Sequence, residues 1–280
     1  MQLKFSANIF LTLLFTAISF SMSYWQWNRH TEKKAFVLEL NNRLQSPIIP
    51  IQNMPNLVDG QNIEYRRVTV EGTYDFDHEI VLRNRRYEKL PGVYVLTPLK
   101  LENAAQLSGS YILVQRGFSA LPYSEKQDRL KISRPTGKQT FTALIKKSQT
   151  RPFFGPSDNP TGKDLPWVDS WLRPDLENIE KQLPYNLLNI YLEVIPEAEK
   201  NRSDLQILHS DAGREEMFYL GERKMDDIKG DADAANPAIY PIATYSTVIP
   251  PFRHFGYIFE WAFIGIVVLV VGCFLELRRL

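Results

Sequence analysis

The chain has one cysteine, Cys273, in 280 residues, and that scarcity excludes much chemistry. No intrachain disulfide can form. Cys₄ and Cys₂His₂ zinc sites, C-x-x-C redox centres and cysteine-based copper carriage are excluded with it. The five methionines (Met1, Met22, Met54, Met217, Met225) are scattered, which argues against a Met-rich copper site. Net charge is also lacking: 33 Lys and Arg against 32 Asp and Glu leave +1. Such a balance gives no bulk attraction to nucleic acid or to acidic lipid.

Catalytic spacing is missing too. The four histidines, His30, His78, His209 and His254, contain no pair at local ligand spacing. "HEIVL" at His78-Glu79 begins like a zincin helix but ends in leucine and lies in a strand pattern, so it reads as an exposed strand pair. "GFSAL" around Ser119 lacks the second glycine of a nucleophile elbow. Ser124 and Lys126 sit in a charged turn that reads as solvated. "GPSDNPTGK" has the wrong spacing for a phosphate loop. The expectation is a protein that is not an enzyme.

What is present is apolar sequence, concentrated at the two ends. Ile9 to Trp27 runs for 19 residues without a charge, enough at 1.5 Å per residue to cross a roughly 30 Å hydrocarbon core. Tyr24, Trp25 and Trp27 close it as an aromatic belt. The run is long for a signal peptide and has no small-x-small cleavage site before those aromatics, so it reads as an uncleaved anchor. Phe255 to Leu277 is the second span, followed by Arg278 and Arg279. The organisation read from this is a tail at 1–8, a first transmembrane helix at 9–27, an extracytoplasmic domain at 28–253, a second transmembrane helix at 254–277 and a tail at 278–280. Both tails are placed in the cytoplasm by Lys4 and the Arg278-Arg279 pair. The N-terminus has no Arg-rich, Ser-rich presequence, so the expected location is a bacterial inner membrane, multi-pass, with the large domain periplasmic.

Between the spans, "NRHTEKKAFVLELNNRL" keeps Phe36, Val37, Leu40 and Leu44 at helical spacing, which continues the first helix until the prolines of "SPIIPIQNMPN" stop it. Six strands follow: "RRVTVEGTY", "QTFTALIKK" and "NLLNIYLEV" by alternation, and "EIVLRN", "GVYVLTPLKL" and "SYILVQRGF" as short β-branched or aromatic runs separated by turns. One short helix is predicted at "PDLENIEKQL", with Pro174 in its first turn. "RPFFGPSDNPTGKDLPW" and the acidic "ERKMDDIKGDADAANPAIYP" read as surface loops. The fold class expected is a mostly antiparallel β domain, barrel- or sandwich-like, with few helices, flanked by two transmembrane helices.

The second span opens on "PPFRHFGYIFEW", three of whose residues are costly near lipid. On a helix, His254, Tyr257, Ile258 and Trp261 share a face. Gly256 offers a place for another helix or a flat ligand to approach. Glu260 lies about 9 Å deeper than His254 and should face protein, a polar cavity or a partner. Two readings stay open from spacing: an interfacial belt of headgroup-binding and anchoring side chains, or an imidazole that ligates a metal or haem iron.

In order along the chain, "WQWNRHTEK" (Trp25, Gln26, Arg29, Lys33), "YRRVTVEGTYD" (Tyr65, Arg66, Val68, Val70, Gly72), "GVYVLTPLKL" (Gly92, Thr97, Pro98, Leu99), "ILVQRGF" (Leu113, Val114, Arg116, Gly117) and "HFGYIFEW" (His254, Tyr257, Trp261) resemble motifs of the surfeit-locus-one family of cytochrome c oxidase assembly factors. Phe118 stands where that family has tryptophan. The resemblance implies a non-enzymatic role: helping deliver or insert haem a into subunit I of a haem–copper terminal oxidase, with that subunit and the haem a synthesis machinery as partners. It implies that His254 ligates haem iron, with Tyr257 and Trp261 beside it; His30, outside the pattern, is a second candidate ligand. It also implies that Arg116-Gly117 is fold-forming, the glycine for a positive φ or close approach and the arginine for an internal pair. The alternative is a cofactor-free envelope scaffold that binds a protein partner through its β domain.

Overall fold

A computed structural model describes residues 7–54, 63–87, 90–102, 109–195, 235–244 and 252–279. The acidic stretch around 200–234, with His209, lies outside them. The described elements are α1 (Ala7–Gln45), β1 (Ile49–Pro50), β2 (Arg67–Tyr74), β3 (Ile80–Tyr87), β4 (Leu90–Leu101), β5 (Tyr111–Ala120), β6 (Lys138–Lys147), β7 (Ser170–Trp171), α2 (Leu176–Glu180), β8 (Leu187–Val194) and α3 (Phe252–Leu277). They form two units. Among the described residues, one comprises α1 up to Glu39 together with α3; the other comprises the last turn of α1, all the strands and α2.

The first unit holds the two helices long and apolar enough to cross a membrane. Their large apolar side chains point outward: Phe10, Phe15, Trp25, Phe263, Val270 and Phe274 are all exposed. In water that distribution would be ruinous; in lipid it is the stable one, because the solvent is as apolar as the side chain.

The second unit is a barrel. Strand β2 pairs with β6 along Arg67–Thr73, β6 with β8, β8 with β5 in parallel, and β5 with β4. The end of β2 then pairs with the end of β4, Gly72 opposite Leu101 and Tyr74 opposite Leu99, which closes a five-strand ring. The spatial order β6-β2-β4-β5 is a Greek key. Closure removes the free edges on which strands aggregate. Gly72 is needed at the seam, where a Cβ would stand 2.3 Å from the Lys100 carbonyl oxygen.

Each ring strand sends alternate side chains inward. Val68 and Val70 of β2, Leu99 and Leu101 of β4, Ile112 and Val114 of β5, Ala143 and Ile145 of β6, and Ile190 and Leu192 of β8 fill the barrel, each of the larger ones contributing about 1.5–3 kcal/mol by leaving water. A second core lies on the outer face, where β3, β7 and α2 cover β4 and β5; Leu96, Leu113, Phe118, Trp171 and Ile179 meet there. Phe118 is fully buried and packs on Tyr87 and Tyr240, so the smaller ring fills its slot. At α2 the N-cap is Asp175, whose side chain accepts from the Asn178 amide; Pro174 precedes the helix rather than opening it. The last turn of α1 joins this unit, with Leu40 and Leu44 buried and Arg43 donating to the Glu64 carbonyl.

Candidate functional site in the helix pair

The helices meet along a seam of small polar residues. Thr16, Ser19 and Gln26 of α1 are buried, and Ser23 Oγ donates to the Ile258 carbonyl at 2.9 Å. With Thr12 these fall at spacings of four and three, the heptad rhythm of left-handed helix packing. Opposite them on α3 stand Ile258, Gly265 and Gly272, seven apart. A Cβ on Gly272 would lie 2.2 Å from Thr12 Oγ1, and one on Gly265 would lie 3.2 Å from Ser19 Cβ. Close approach therefore occurs at Gly265 and Gly272. Gly256, to which the sequence assigned it, meets nothing within 4 Å.

His254 occupies the first turn of α3; its side chain lies outside the described residues. Tyr257 is 48% exposed and Trp261 partly so. These three positions flank Ile258, the residue that Ser23 contacts, so their face borders α1. The His30 ring of α1 lies 5.2 Å from the ring of Phe255, the neighbour of His254, and Phe255 packs on Phe259 at 5.1 Å. The structure thus brings His30 to the entrance turn of α3. Glu260 is exposed, turned away from the α1 seam. On the other flank, Trp25 and Trp27 are exposed and Arg29 lies over the Trp25 ring at 5.7 Å.

In the β unit, Glu79 departs from the reading as an exposed strand residue: it is 1% exposed. Its carboxylate accepts from Thr97 Oγ1 at 2.8 Å, Arg116 Nη1 at 2.9 Å, Arg129 Nε at 3.3 Å and Arg134 Nη2 at 3.5 Å. Arg129 also forks onto Asp169, at 3.0 and 2.5 Å. Burial pushes the Arg116 guanidinium below its ordinary value, and the adjoining carboxylate of Glu79 counters this. Nothing in the local sequence marks a glutamate as buried; only the internal pairing of Arg116 was legible. Gly117 follows with φ of +141°, and a Cβ there would stand 2.1 Å from the Ile242 carbonyl oxygen. Phe118 and Ile242 exchange backbone hydrogen bonds at that point, so the fold-forming reading of Arg116-Gly117 holds.

His78 is partly exposed. Its Nδ1 lies 2.7 Å from Asp75 Oδ2, which also accepts from the Tyr185 hydroxyl at 2.5 Å. Burial alone would raise the Asp75 pKa; these two partners outweigh it and hold it below the ordinary value. Among the described residues no three His, Cys, Asp or Glu side chains gather as a metal site.

A protein-family model described as the SURF1 family matches residues 13–266, from within α1 through the β unit into α3. A SURF1-like protein of Rickettsia bellii is 29% identical over 204 residues, 71% of this chain and 74% of that one. A SURF1-like protein of Caenorhabditis elegans is 26% identical over 64% of this chain and 58% of its own length. Surfeit locus protein 1 of Homo sapiens is 26% identical over 53% of this chain and 52% of its own length. The matched stretches thus cover about three quarters of the bacterial relative and little more than half of the two animal ones. Resting on a match to most of the chain, the assignment is plain: this protein belongs to the SURF1 family.

Proposed function

We propose that the protein is a non-catalytic assembly factor for a haem–copper terminal oxidase, seated in a bacterial inner membrane with its β unit on the periplasmic side, and that it helps deliver haem a to subunit I. The observation that carries this reading is the family match across residues 13–266, together with the oxidase role that family resemblance implies. The site proposed is the entrance of α3. His254 supplies the ligand nitrogen, which must be the neutral imidazole to hold iron. Tyr257 and Trp261 lie one and two turns deeper on the same face, and their accessible rings suit contact with a flat apolar group. Tyr257 also offers a hydroxyl that can donate to a polar edge. Haem bound there would supply an iron that accepts an imidazole nitrogen; the chain's part would be to hold it beside α1, with His30 near the same turn.

A strain lacking the gene tests the role. Oxidase activity and the a-type haem band of its membranes should fall, the full chain should restore both, and His254→Ala should restore neither while accumulating normally. Normal oxidase in the deletion strain would overturn the proposal.

A further inference from the structure

At the end of the helix pair remote from His254, α1 and α3 bound a crevice of about 370 Å³. Ile9 and Leu13 line it from α1, and Leu269, Gly272, Cys273 and Glu276 from α3. Among its lining residues Glu276 alone is charged. The side chains around it face outward: Leu13, Phe274, Leu275 and Leu277 are all exposed, as suits contact with lipid.

Glu276 Oε2 is buried and accepts no hydrogen bond among the described residues. Arg278 and Arg279 follow it in sequence, yet both are exposed and neither donates to that atom. The Arg278 guanidinium lies instead over the Phe274 ring at 4.7 Å. A buried carboxylate oxygen without a donor is costly, and an acid in a membrane span calls for a partner.

Position limits what that partner can be. The span Phe255–Leu277 has 23 residues, about 34 Å of helix against a hydrocarbon core of roughly 30 Å. Glu276 therefore stands where acyl chains give way to headgroups.

We propose that this crevice binds one phospholipid whose headgroup carries a primary ammonium, phosphatidylethanolamine. An acyl chain lies between Leu13 and Leu269, the ammonium donates to Glu276 Oε2, and Arg278 and Arg279 meet the phosphate. Charge complementarity favours this occupant: one anion in the crevice and two cations beyond it match a zwitterion of that order. An acidic phospholipid brings no cation to Glu276. The trimethylammonium of phosphatidylcholine has no N–H to donate. A partner helix, about 10–12 Å across, is too wide for a crevice of this volume.

The test strips full-length protein of lipid in detergent. It is then titrated with phosphatidylethanolamine or phosphatidylcholine of identical acyl chains, and bound lipid is counted by native mass spectrometry. The expected result is one phosphatidylethanolamine per chain, held about tenfold more tightly than phosphatidylcholine, as a hydrogen bond to a charged group provides. Glu276→Gln keeps the shape and removes the charge, so its affinity for phosphatidylethanolamine should fall to that for phosphatidylcholine, at an unchanged melting temperature. Equal affinity of the unaltered chain for the two lipids overturns the proposal, because the crevice then holds bulk lipid only. A preference that survives in Glu276→Gln overturns it as well. So does tighter binding of phosphatidylglycerol, which would make the arginines the selecting groups. One arm needs no variant: N,N-dimethyl phosphatidylethanolamine keeps a single N–H and should bind like the parent lipid. Binding as weak as that of phosphatidylcholine would overturn the proposal.

Discussion

The helix pair and the barrel are built inside out with respect to each other. In the barrel unit, apolar side chains fill the interior, and one buried cluster of charge has Glu79 answering Arg116, Arg129 and Arg134. In the helix pair, apolar side chains face outward and the shared seam is Thr12, Thr16, Ser19 and Ser23 against Gly265 and Gly272. The solvent explains the inversion. Water drives Val68 or Ile145 inside; lipid offers no such drive, so helices associate through close packing and hydrogen bonds. In both regions, therefore, geometry is fixed by the side chains their solvent does not push inward.

The largest effect should come from Glu79→Ala. It leaves three guanidiniums facing one another with only Asp169 to answer them, and loss of one partner from a buried ion network costs about 3–5 kcal/mol. Thermal unfolding of the β unit should shift down steeply while the spacing of the helix pair stays unchanged; an unaltered melting temperature would mean that the cluster contributes nothing to the barrel. Next is Gly117→Val, which places a β-branched side chain at φ +141° and into the Ile242 carbonyl. Backbone strain of this kind costs on the order of 1–3 kcal/mol, before any displacement of Ile242, and denaturant titration should lower the midpoint. The smallest effect belongs to the other region. Gly272→Leu overpacks the seam at Thr12, costing about 1–3 kcal/mol and relieved in part by a shift of the helices. Spin-label distances between α1 and α3 should lengthen near that end, with the β unit's melting temperature untouched. If Gly272→Leu melts the barrel, the two regions are not independent in the way described.

The six long strands are legible because β2, β6 and β8 alternate, while β3, β4 and β5 are β-branched or aromatic runs bounded by turns; β2, β4 and β5 also carry the family motifs. The two-residue strands β1 and β7 pair in parallel with β2 and β3, too briefly to leave a period. Ring closure was not legible as against a sandwich: it depends on β2 meeting β4 at Gly72, a contact between distant segments. Glu79 departs from the exposed reading because a buried carboxylate and an exposed one look alike in sequence; its arginine partners lie 37, 50 and 55 residues away. In the helix pair, the face of His254, Tyr257 and Trp261 follows from spacing alone. The seam does as well, since Thr12, Thr16, Ser19 and Ser23 recur at four and three, but small polar residues in an apolar run were passed over in favour of Gly256. That His30 lies at the depth of the α3 entrance follows from its place just after the first span; its ring contact with Phe255 required knowing how α1 and α3 pair.

The most direct test of the central claim is an absorption spectrum. Full-length protein co-expressed with haem a synthesis and purified in detergent should carry a Soret band. His254→Ala should lose it while retaining the same melting temperature, and Tyr257→Ala and Trp261→Ala should weaken or shift it. Wild-type protein without a Soret band, or a band undiminished in His254→Ala, would contradict the account.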